Sequence, residues 1–262
     1  MDLGLHGKTA LVTGASRGIG LAIAEALAEE GVRVAGVARN ATPELEKIAA
    51  TTISADLSTP AGATAAVDAA LAELGGIDIL INNVGGGDGD RLELGGVLDI
   101  SDEQWRNLFD LNLFGVVATT RAALPSLVER RGAIVTVSSI NSRVPAAGPV
   151  GYSEAKSALT SFGKRLSEEF GPQGVRVNTV SPGVVGTAIW RGPGHVGAKL
   201  AAANGVAQEQ FLDAIPAQFG IASGRISEPG EVAALVTFLA SEQAGNIMGA
   251  DFVIDGGTVK TL

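Results

Sequence analysis

The feature that most constrains the fold of this chain is a glycine-rich turn between its first apolar run and its first helical pattern. Residues 8–13 are short and apolar, as in a buried strand, and Gly14 closes them. The turn, Thr13-Gly-Ala-Ser-Arg-Gly-Ile-Gly20, opens a helical pattern over residues 18–30. Glycines here permit a sharp turn and let an anion approach backbone N–H groups at the positive end of a helix. This order favours a dinucleotide-binding loop over a turn in which glycine serves packing alone.

Strand-like and helix-like segments alternate along the chain. The predicted strands span residues 8–13, 32–37, 51–55, 77–81, 133–137, 175–180 and 251–254. The predicted helices span residues 18–30, 42–50, 61–74, 101–129, 152–170 and 229–240. The alternation predicts an α/β fold, a single-domain Rossmann-type doubly wound parallel sheet of about seven strands with helices on both faces.

Composition narrows the class of protein. Of the 262 residues, 46% are apolar, which is enough for one large core, and residues 1–262 are predicted to form a single dinucleotide-binding and catalytic domain. The absence of cysteine excludes thiolate catalysis, and the two histidines, His6 and His195, are too far apart in sequence to suggest a metal site. The net charge of −9 argues against nucleic acid or an anionic membrane as a partner. With no signal-peptide pattern, we expect a cytoplasmic location.

Two segments interrupt the alternation. Residues 85–96 form a glycine-rich loop with four charged side chains, Asp88, Asp90, Arg91 and Glu93. Residues 186–224 are long and of mixed character. Because ligands of open α/β sheets bind beyond the carboxyl ends of strands, we predict that residues 186–224 form a substrate lid. Its aromatic residues either line a substrate pocket or pack the lid itself; they are Trp190, Phe211 and Phe219.

The end of the second predicted strand bears on the choice of nicotinamide cofactor. An enzyme that prefers NAD(H) generally has an acidic residue there to hold the ribose 2′-hydroxyl, and Ala38 supplies none. Arg17 and Arg39 instead offer two guanidinium groups suited to a 2′-phosphate. Two solvated surface arginines are the alternative. We therefore favour NADP(H) over NAD(H).

A second motif suggests proton transfer. Tyr152 is the only tyrosine in the chain, and Lys156 lies four residues later on the same face of a predicted helix. Ser138 and Ser139 follow the preceding strand. Tyrosine has a reference pKa of about 10, and a nearby cation lowers such a pKa. Taken alone, this spacing more often means a core tyrosine and a surface lysine at chance spacing.

Together the motifs resemble the short-chain dehydrogenase/reductase family, and broadly its 3-oxoacyl-(acyl-carrier-protein) reductase-like members, over essentially the whole chain. The matching pieces occur in the family's order: residues 13–20, Asp56-Leu57, Asn82-Asn83-Val84-Gly85, Asn112, Ser139, Tyr152-x3-Lys156, Pro182-Gly183 and Thr187. The family places its catalytic serine thirteen residues before the tyrosine, which selects Ser139 over Ser138. Val84 departs from the commoner alanine, and the loop at 85–96 is longer than the family pattern.

The resemblance implies roles for these residues. Tyr152 would be the general acid in reduction and the base in oxidation, and Lys156 would bind the nicotinamide ribose and lower the pKa of Tyr152. Ser139 would polarise the substrate carbonyl, and Asn112 would hold a water in a proton relay. Asp56 would meet the adenine, Asn83 the adenosine ribose, and Thr187 the carboxamide or phosphates. The full implied cofactor-binding set is Gly14, Ser16, Arg17, Gly18, Ile19, Gly20, Arg39, Asp56, Leu57, Asn83, Val84, Gly85, Tyr152, Lys156, Pro182, Gly183, Val185 and Thr187.

We therefore expect an NADP(H)-dependent oxidoreductase that transfers a hydride between nicotinamide and a carbonyl or secondary alcohol. Its small-molecule substrate is a ketone, a 3-oxoacyl thioester, a sugar or a steroid. The alternative is a non-catalytic NADP(H)-binding sensor or scaffold, against which intact Ser139, Tyr152 and Lys156 argue. The resemblance also implies a homotetramer that pairs the long helices at 101–129 and 152–170. Asn141 and Arg143 either reach the substrate or belong to a solvated loop.

Overall fold

The structure, a computed structural model, describes residues 1–86 and 95–261. Its strands are β1 (Thr9–Thr13), β2 (Arg33–Ala38), β3 (Thr51–Ser54), β4 (Ile79–Asn82), β5 (Ala133–Val137), β6 (Arg176–Pro182) and β7 (Asp251–Ile254). The helices before residue 186 are α1 (Gly18–Glu29), α2 (Pro43–Ile48), α3 (Pro60–Leu74), α4 (Asp102–Phe109), α5 (Gly115–Arg130) and α6 (Tyr152–Phe170). Within residues 186–224 lie α7 (Ala188–Arg191), α8 (Val196–Ala203) and α9 (Gln208–Gln218), and α10 (Pro229–Ala240) follows them.

All seven strands of the described chain pair in parallel in one sheet, in the order β3-β2-β1-β4-β5-β6-β7. The order reverses between β1 and β4, so the connections on either side of that point leave in opposite directions. This confirms the predicted doubly wound parallel sheet. A reversal of this kind opens a crevice beyond the carboxyl ends of the strands, which is where such sheets bind ligands.

The sheet is buried on both faces because alternate residues of its strands pack into two separate cores. In β1, Ala10 and Val12 face the core beneath α1 and α10, and Leu11 faces the core beneath α3, α5 and α6. Neighbouring side chains in a strand point to opposite faces, so a continuous apolar run serves both layers. This packing holds the strand ends, and the loops that leave them, in fixed positions.

The helix predicted over residues 101–129 forms as one stretch, but its hydrogen-bonding pattern changes midway. A capping box joins Ser101 and Gln104 at the start of α4, as the sequence indicated. The helix then passes through a π-helical turn, Asp110–Phe114, before α5 begins. Such turns accommodate one extra residue in a helix and are frequent at functional sites. Here the turn contains Asn112.

The segment predicted as a lid has a hydrophobic cluster of its own. Phe211 and Ile215 from α9 are buried with Val184, Ala201 and Ile221. Trp190 packs edge-on against Phe219 at 6.1 Å between ring centroids. The three aromatic residues whose role the sequence left open therefore pack within this segment. A bidentate ion pair from Arg191 to Glu228 joins the segment to the start of α10.

By length and hydropathy alone, the continuous helical stretch Asp102–Arg130 would be able to cross a membrane. In this fold its α5 portion packs against α3 and buries Ala123 and Leu127 in the core. Long core helices of globular domains pass the same test, so hydropathy carries little weight here.

Candidate active site

The glycine loop between β1 and α1 lies at the point where the strand order reverses. Gly14 and Gly18 have φ angles of +64° and +57°, a backbone region that favours glycine. A Cβ on Gly20 would lie 2.2 Å from the carbonyl oxygen of Gly14, which no side chain tolerates. The three glycines that suggested this loop are thus required, two by conformation and one by close packing.

Asn83 holds this loop through its side chain. Its Nδ2 donates to the carbonyl oxygens of Thr13 and Gly14, at 3.0 and 3.2 Å. The sequence suggested instead that Asn83 would contact the adenosine ribose. In the structure both side-chain hydrogen bonds of Asn83 are made to the glycine loop. The amide of Asn83 therefore fixes the conformation of this loop.

Thr13 is a functional residue that sequence reasoning did not single out. Its Oγ1 donates to the carbonyl oxygen of Ile81 and accepts from the N–H groups of Asn83 and Val84. A buried hydroxyl with these three bonds joins the carboxyl ends of β1 and β4. The sequence did show a small hydroxyl residue at the end of β1, just before the loop. Its hydrogen-bond partners could not be predicted, because they lie about 70 residues away in sequence.

The N-terminus of α1 has no side-chain cap, because Arg17 occupies the N-cap position without a capping hydrogen bond. The first N–H groups of a helix have no partner within the helix and carry part of the positive end of its dipole. Thr187, beyond β6, lies over the same loop, since a Cβ on Gly18 would be 3.2 Å from its Cγ2. Uncapped donors beneath a hydroxyl residue fit the pyrophosphate of a dinucleotide.

Of the residues expected to choose the cofactor, Ala38 and Arg39 lie at the carboxyl end of β2 and Arg17 lies at the N-cap of α1. Ala38 ends this strand, and both Arg17 and Arg39 are exposed. Asp56 accepts hydrogen bonds from the N–H and the hydroxyl of Ser58, which lower the pKa of its carboxyl, and nearby Arg39 lowers it further. The structure thus places Arg39 and Asp56 near each other at this edge of the sheet.

Several residues of the implied cofactor set direct their side chains into the protein. Leu57 is buried in the core beneath α3 and α5, and Val185 is buried in the core beneath α1 and α10. Val84 is partly buried and packs against the same core as Leu57. Pro182 ends β6, and the N–H of Gly183 donates to the carbonyl oxygen of Ile254. Any contact of Leu57 and Val185 with a cofactor therefore comes from their backbone.

The two serines after β5 have different partners. Ser138 donates to the carbonyl oxygen of Lys156 and shares a 2.8 Å hydrogen bond with Thr160, which ties β5 to α6. The Ser139 side chain interacts with the Tyr152 hydroxyl and lowers its pKa, and the Ser139 Oγ accepts the N–H of Asn141 at 3.1 Å. The structure therefore brings Ser139 to the tyrosine and leaves Ser138 in a structural role.

Tyr152 is the first residue of α6, and a glycine sets its direction. Gly151 has a φ of +81°, and a Cβ there would lie 2.7 Å from Leu108. One turn later, Lys156 is almost fully buried, and its Nζ donates to the carbonyl oxygen of Val137 at 3.1 Å. The same nitrogen lies 5.7 Å from the centroid of the Tyr152 ring. The predicted shared face of α6 thus points at the end of β5.

Asn112 and Lys156 meet at Gly85. A Cβ on Gly85 would lie 2.8 Å from both the Asn112 Oδ1 and the Lys156 Nζ. The Asn112 amide accepts from the N–H of Gly86 and donates to the carbonyl oxygens of Gly86 and Leu108. Both of its N–H donors are used, so only Oδ1 has room for a further partner such as a water. Gly85 is needed here because any side chain would separate the two groups.

The environment shifts the pKa values of Tyr152 and Lys156 in opposite directions. Burial raises the pKa of the Tyr152 hydroxyl, and the hydrogen bond from Ser139 only partly opposes this. Burial lowers the pKa of Lys156 to about 8. In the absence of cofactor, burial outweighs any lowering of the tyrosine pKa by Lys156, and the expectation that Lys156 lowers this pKa together with an oxidised nicotinamide stays a prediction. The reason for both shifts is desolvation, which disfavours both the phenolate and the ammonium.

Arg143, an open candidate for substrate contact, is engaged by an acidic residue of β7. Its guanidinium binds the Asp251 carboxylate through Nε and Nη2, at 3.1 and 3.0 Å. Ser181 donates to the other carboxylate oxygen of Asp251. This clamp joins the loop after Ser139 to β6 and β7. Of the loop at 85–96, also expected near the substrate, Asp88, Asp90, Arg91 and Glu93 lie outside the described residues.

Comparisons with known proteins agree with this geometry. The family described as enoyl-(acyl carrier protein) reductase matches residues 14–259. A 3-alpha-(or 20-beta)-hydroxysteroid dehydrogenase of Mycobacterium tuberculosis is 35% identical over 98% of this chain and 92% of its own. A 3-oxoacyl-(acyl-carrier-protein) reductase of Vibrio cholerae is 33% identical over 97% and 98% of the two chains. A D-threitol dehydrogenase of Mycolicibacterium smegmatis is 38% identical over 99% and 96%.

A solved structure extends the likeness to the whole fold. The L-sorbose reductase of Gluconobacter frateurii, in complex with NADPH and L-sorbose, superimposes with a TM-score of 0.91 at 33% identity, covering 100% of both chains. Both the sequence profile and the relatives span nearly all of the sequence, including the glycine loop and the residues around Tyr152. The chain therefore belongs to the short-chain dehydrogenase/reductase family of oxidoreductases.

Proposed function

We propose that this protein is an NADP(H)-dependent oxidoreductase that interconverts a small carbonyl compound and its secondary alcohol. The observation that carries the proposal is the placement of three groups around one point. The Ser139 side chain interacts with the Tyr152 hydroxyl, and the buried Lys156 lies beside the same ring. The nicotinamide, when bound, supplies or accepts the hydride, and the protein positions the reactants and handles the proton.

Ser139 is oriented to act as a hydrogen-bond donor toward a carbonyl. Because its Oγ already accepts the N–H of Asn141, its own hydrogen is directed elsewhere, toward Tyr152 or a substrate oxygen. A donor fixed in this way stabilises negative charge that develops on a carbonyl oxygen during hydride addition.

Tyr152 is suited to deliver the proton in the reduction direction. Its raised pKa keeps the hydroxyl protonated near neutral pH, as a general acid requires. Oxidation requires the phenolate, and an additional positive charge near the ring favours that form. We propose that Lys156 and the oxidised nicotinamide together provide this charge. Lys156 alone does not offset the rise in the Tyr152 pKa that burial causes.

The residues of the glycine loop and of β2 fit NADP(H). The positive-φ glycines and the uncapped start of α1 accommodate a pyrophosphate, and Arg17 and Arg39 stand where a 2′-phosphate would be recognised. Three of the solved relatives' structures are NADPH complexes, which supports the same choice. We therefore place the 2′-phosphate between these arginines and the end of β2.

Replacing both Arg17 and Arg39 by alanine tests this placement. We expect the KM for NADPH to rise about 10- to 100-fold, as for loss of hydrogen bonds to a charged group, while kinetics with NADH change less than about threefold. Steady-state kinetics with both cofactors measure the effect. Arg33→Ala, at the opposite end of β2, is the matched control. A wild-type enzyme that prefers NADH would contradict the assignment.

An exposed aromatic groove on α4 and the π-helical turn suggests how the protein assembles. Phe109 lies 6.0 Å from Trp105 and 6.4 Å from Phe114, between ring centroids, and Phe114 is 53% exposed. Together with Arg106 and Asp110 these rings line a groove of about 290 Å³. Clustered exposed aromatic side chains mark interaction surfaces. We propose that a second copy of the chain covers this groove in a homotetramer.

Phe114→Glu should weaken that assembly. Burying an unpaired carboxylate in an apolar interface is strongly unfavourable, so we expect a smaller species than the wild type at micromolar concentration. Size-exclusion chromatography with light scattering reads out the mass. Val206→Glu, at another exposed apolar residue, is the control and should not change it. A wild type that is monomeric would refute the proposed tetramer.

A substrate panel tests the proposed activity as a whole. We expect NADPH-dependent reduction of at least one class among simple ketones, ketoses, 3-oxoacyl thioesters and oxosteroids. The relatives named above act on substrates as different as D-threitol, L-sorbose and hydroxysteroids. Tight binding of NADPH with no turnover across the panel would favour the non-catalytic sensor instead.

A further inference from the structure

The loop between Ser139 and Tyr152 contains a polar side chain that the proposed chemistry does not use. Asn141 is half-buried and contacts the site through its backbone, since its N–H donates to the Ser139 Oγ. Among the described residues, no hydrogen bond is recorded for its side-chain amide. Arg143, two residues further on, is held by Asp251. The side-chain amide of Asn141, two residues after the serine, therefore makes no hydrogen bond to the described part of the protein, and its donor and acceptor are left for solvent or a ligand.

The neighbouring backbone makes room for this amide. Gly148 has φ and ψ angles of −122° and 171°, an extended conformation that any residue adopts. A Cβ at this position would nevertheless lie 2.2 Å from the Asn141 Nδ2 and 2.6 Å from the Ser153 Oγ. The glycine is thus required by space and not by conformation. The Asn141 side chain is held between the serine turn and the start of α6, which carries Tyr152.

The aromatic residues of the lid are engaged elsewhere. Phe211 is buried in the lid's own cluster, and Trp190 and Phe219 pack on each other against that cluster. A large flat apolar substrate such as a steroid needs aromatic or aliphatic walls. The part of the site that the structure describes instead presents an amide beside the catalytic serine.

We propose that Asn141 is a specificity-determining residue whose amide hydrogen-bonds a hydroxyl on the carbon next to the reacting carbonyl, and that the substrate class is small α-hydroxyketones and the corresponding vicinal diols. This inference rests on the proposed oxidoreductase function. An amide both donates to and accepts from a hydroxyl, which suits a polyhydroxylated substrate. A site built to pair a substrate hydroxyl rejects an analogue that lacks it, because its polar group is then left unpaired.

An isosteric pair of ketones tests the inference. Hydroxyacetone and 2-butanone differ by one hydroxyl in place of one methyl group. With saturating NADPH, we expect the wild type to show a kcat/KM at least about 20-fold higher for hydroxyacetone. Asn141→Leu should reduce that ratio to within about threefold of unity, through a higher KM for hydroxyacetone. The KM for NADPH should not change.

Two further variants keep the result interpretable. Gly148→Ala should displace the Asn141 amide and lower the same ratio without altering residue 141. Asn204→Leu, an exposed asparagine at the end of α8, makes the same replacement away from the serine and should retain the wild-type ratio. Circular dichroism and NADPH binding confirm that each variant is folded.

The outcomes separate the inference from the proposed function. If the wild type reduces neither ketone nor any other carbonyl of the panel, the proposed function itself fails. If the wild type is active but does not distinguish the two ketones, or if Asn141→Leu keeps the preference, the role of Asn141 is overturned while the activity stands. A raised KM for NADPH in Asn141→Leu would also overturn it, since the amide would then serve the cofactor.

Discussion

Tyr152→Phe is expected to lower kcat about 10³-fold or more while leaving the dissociation constant for NADPH within about threefold of the wild type. The substitution removes only the hydroxyl and keeps the ring that lies beside Lys156. General acid–base catalysis by a positioned side chain contributes about 10²- to 10⁴-fold. Ser139 also loses its interaction with the Tyr152 hydroxyl, so the positioning of the carbonyl suffers as well. Turnover is measured with a substrate identified in the panel, and binding by NADPH fluorescence.

The adjacent serines provide a matched control for the same site. Ser139→Ala should lower kcat by about 10²-fold or more, as for loss of one oxyanion donor. Ser138→Ala should retain most activity and cost about 1 kcal/mol of stability, because the hydrogen bonds of the Ser138 hydroxyl are made to α6. More than a tenth of the wild-type kcat in Tyr152→Phe would show that another group delivers the proton. Equal losses in the two serine variants would contradict the assignment of Ser139.

Lys156→Met is expected to inactivate the enzyme and to make the cofactor-free protein more stable at pH 7. Burial lowers the pKa of Lys156 from 10.5 to about 8, so the folded state holds a charged ammonium at pH 7 at a cost of up to about 3 kcal/mol. Methionine fills similar volume without that cost but loses the bond to the Val137 carbonyl, worth about 1 kcal/mol. We expect a net gain of about 2 kcal/mol in the free energy of unfolding.

The pH dependence of that gain identifies its cause. Between pH 8 and 10.5 the unfolded chain binds the Lys156 proton and the folded chain releases it, so raising the pH favours the folded wild type. The penalty is fully present below about pH 8 and disappears as the pH rises toward 10.5. The difference between the wild type and Lys156→Met should therefore shrink over this range. Urea unfolding at pH 7 and pH 10 measures it; a gain that is constant with pH would point to packing instead.

The glycine loop and α6 show which parts of the site could be predicted from the sequence. The three glycines, Tyr152 and Lys156 were predicted in the elements where they occur, because their spacing within one turn or one helix is a local property. The choice of Ser139 over Ser138 followed from the family resemblance, and the hydrogen bonds of the two serines agree with it. The parallel sheet followed from the alternation of segments.

Other features depended on contacts between residues distant in sequence. Thr13 and Asn83 are joined across two strands about 70 positions apart, which no local pattern indicates. The sequence predicted one continuous helix and missed the π-helical turn that carries Asn112. The turn has little effect on the apolar pattern because it adds only one residue. Arg143 was an open candidate for substrate contact until Asp251, 108 residues further on, proved to hold it.

The sequence by itself therefore determined the order of strands and helices and the positions of the glycine loop and of the residues that we propose move the proton. These depend on residue type and near-neighbour spacing, which the chain encodes locally. Only the tertiary structure decided which polar groups are hydrogen-bonded within the protein and which are left for a ligand. It also decided which ionisable groups are buried, and hence the direction in which their pKa values shift. Such properties arise from desolvation and from distances between separate elements, as the raised pKa of Tyr152 and the unpaired amide of Asn141 show.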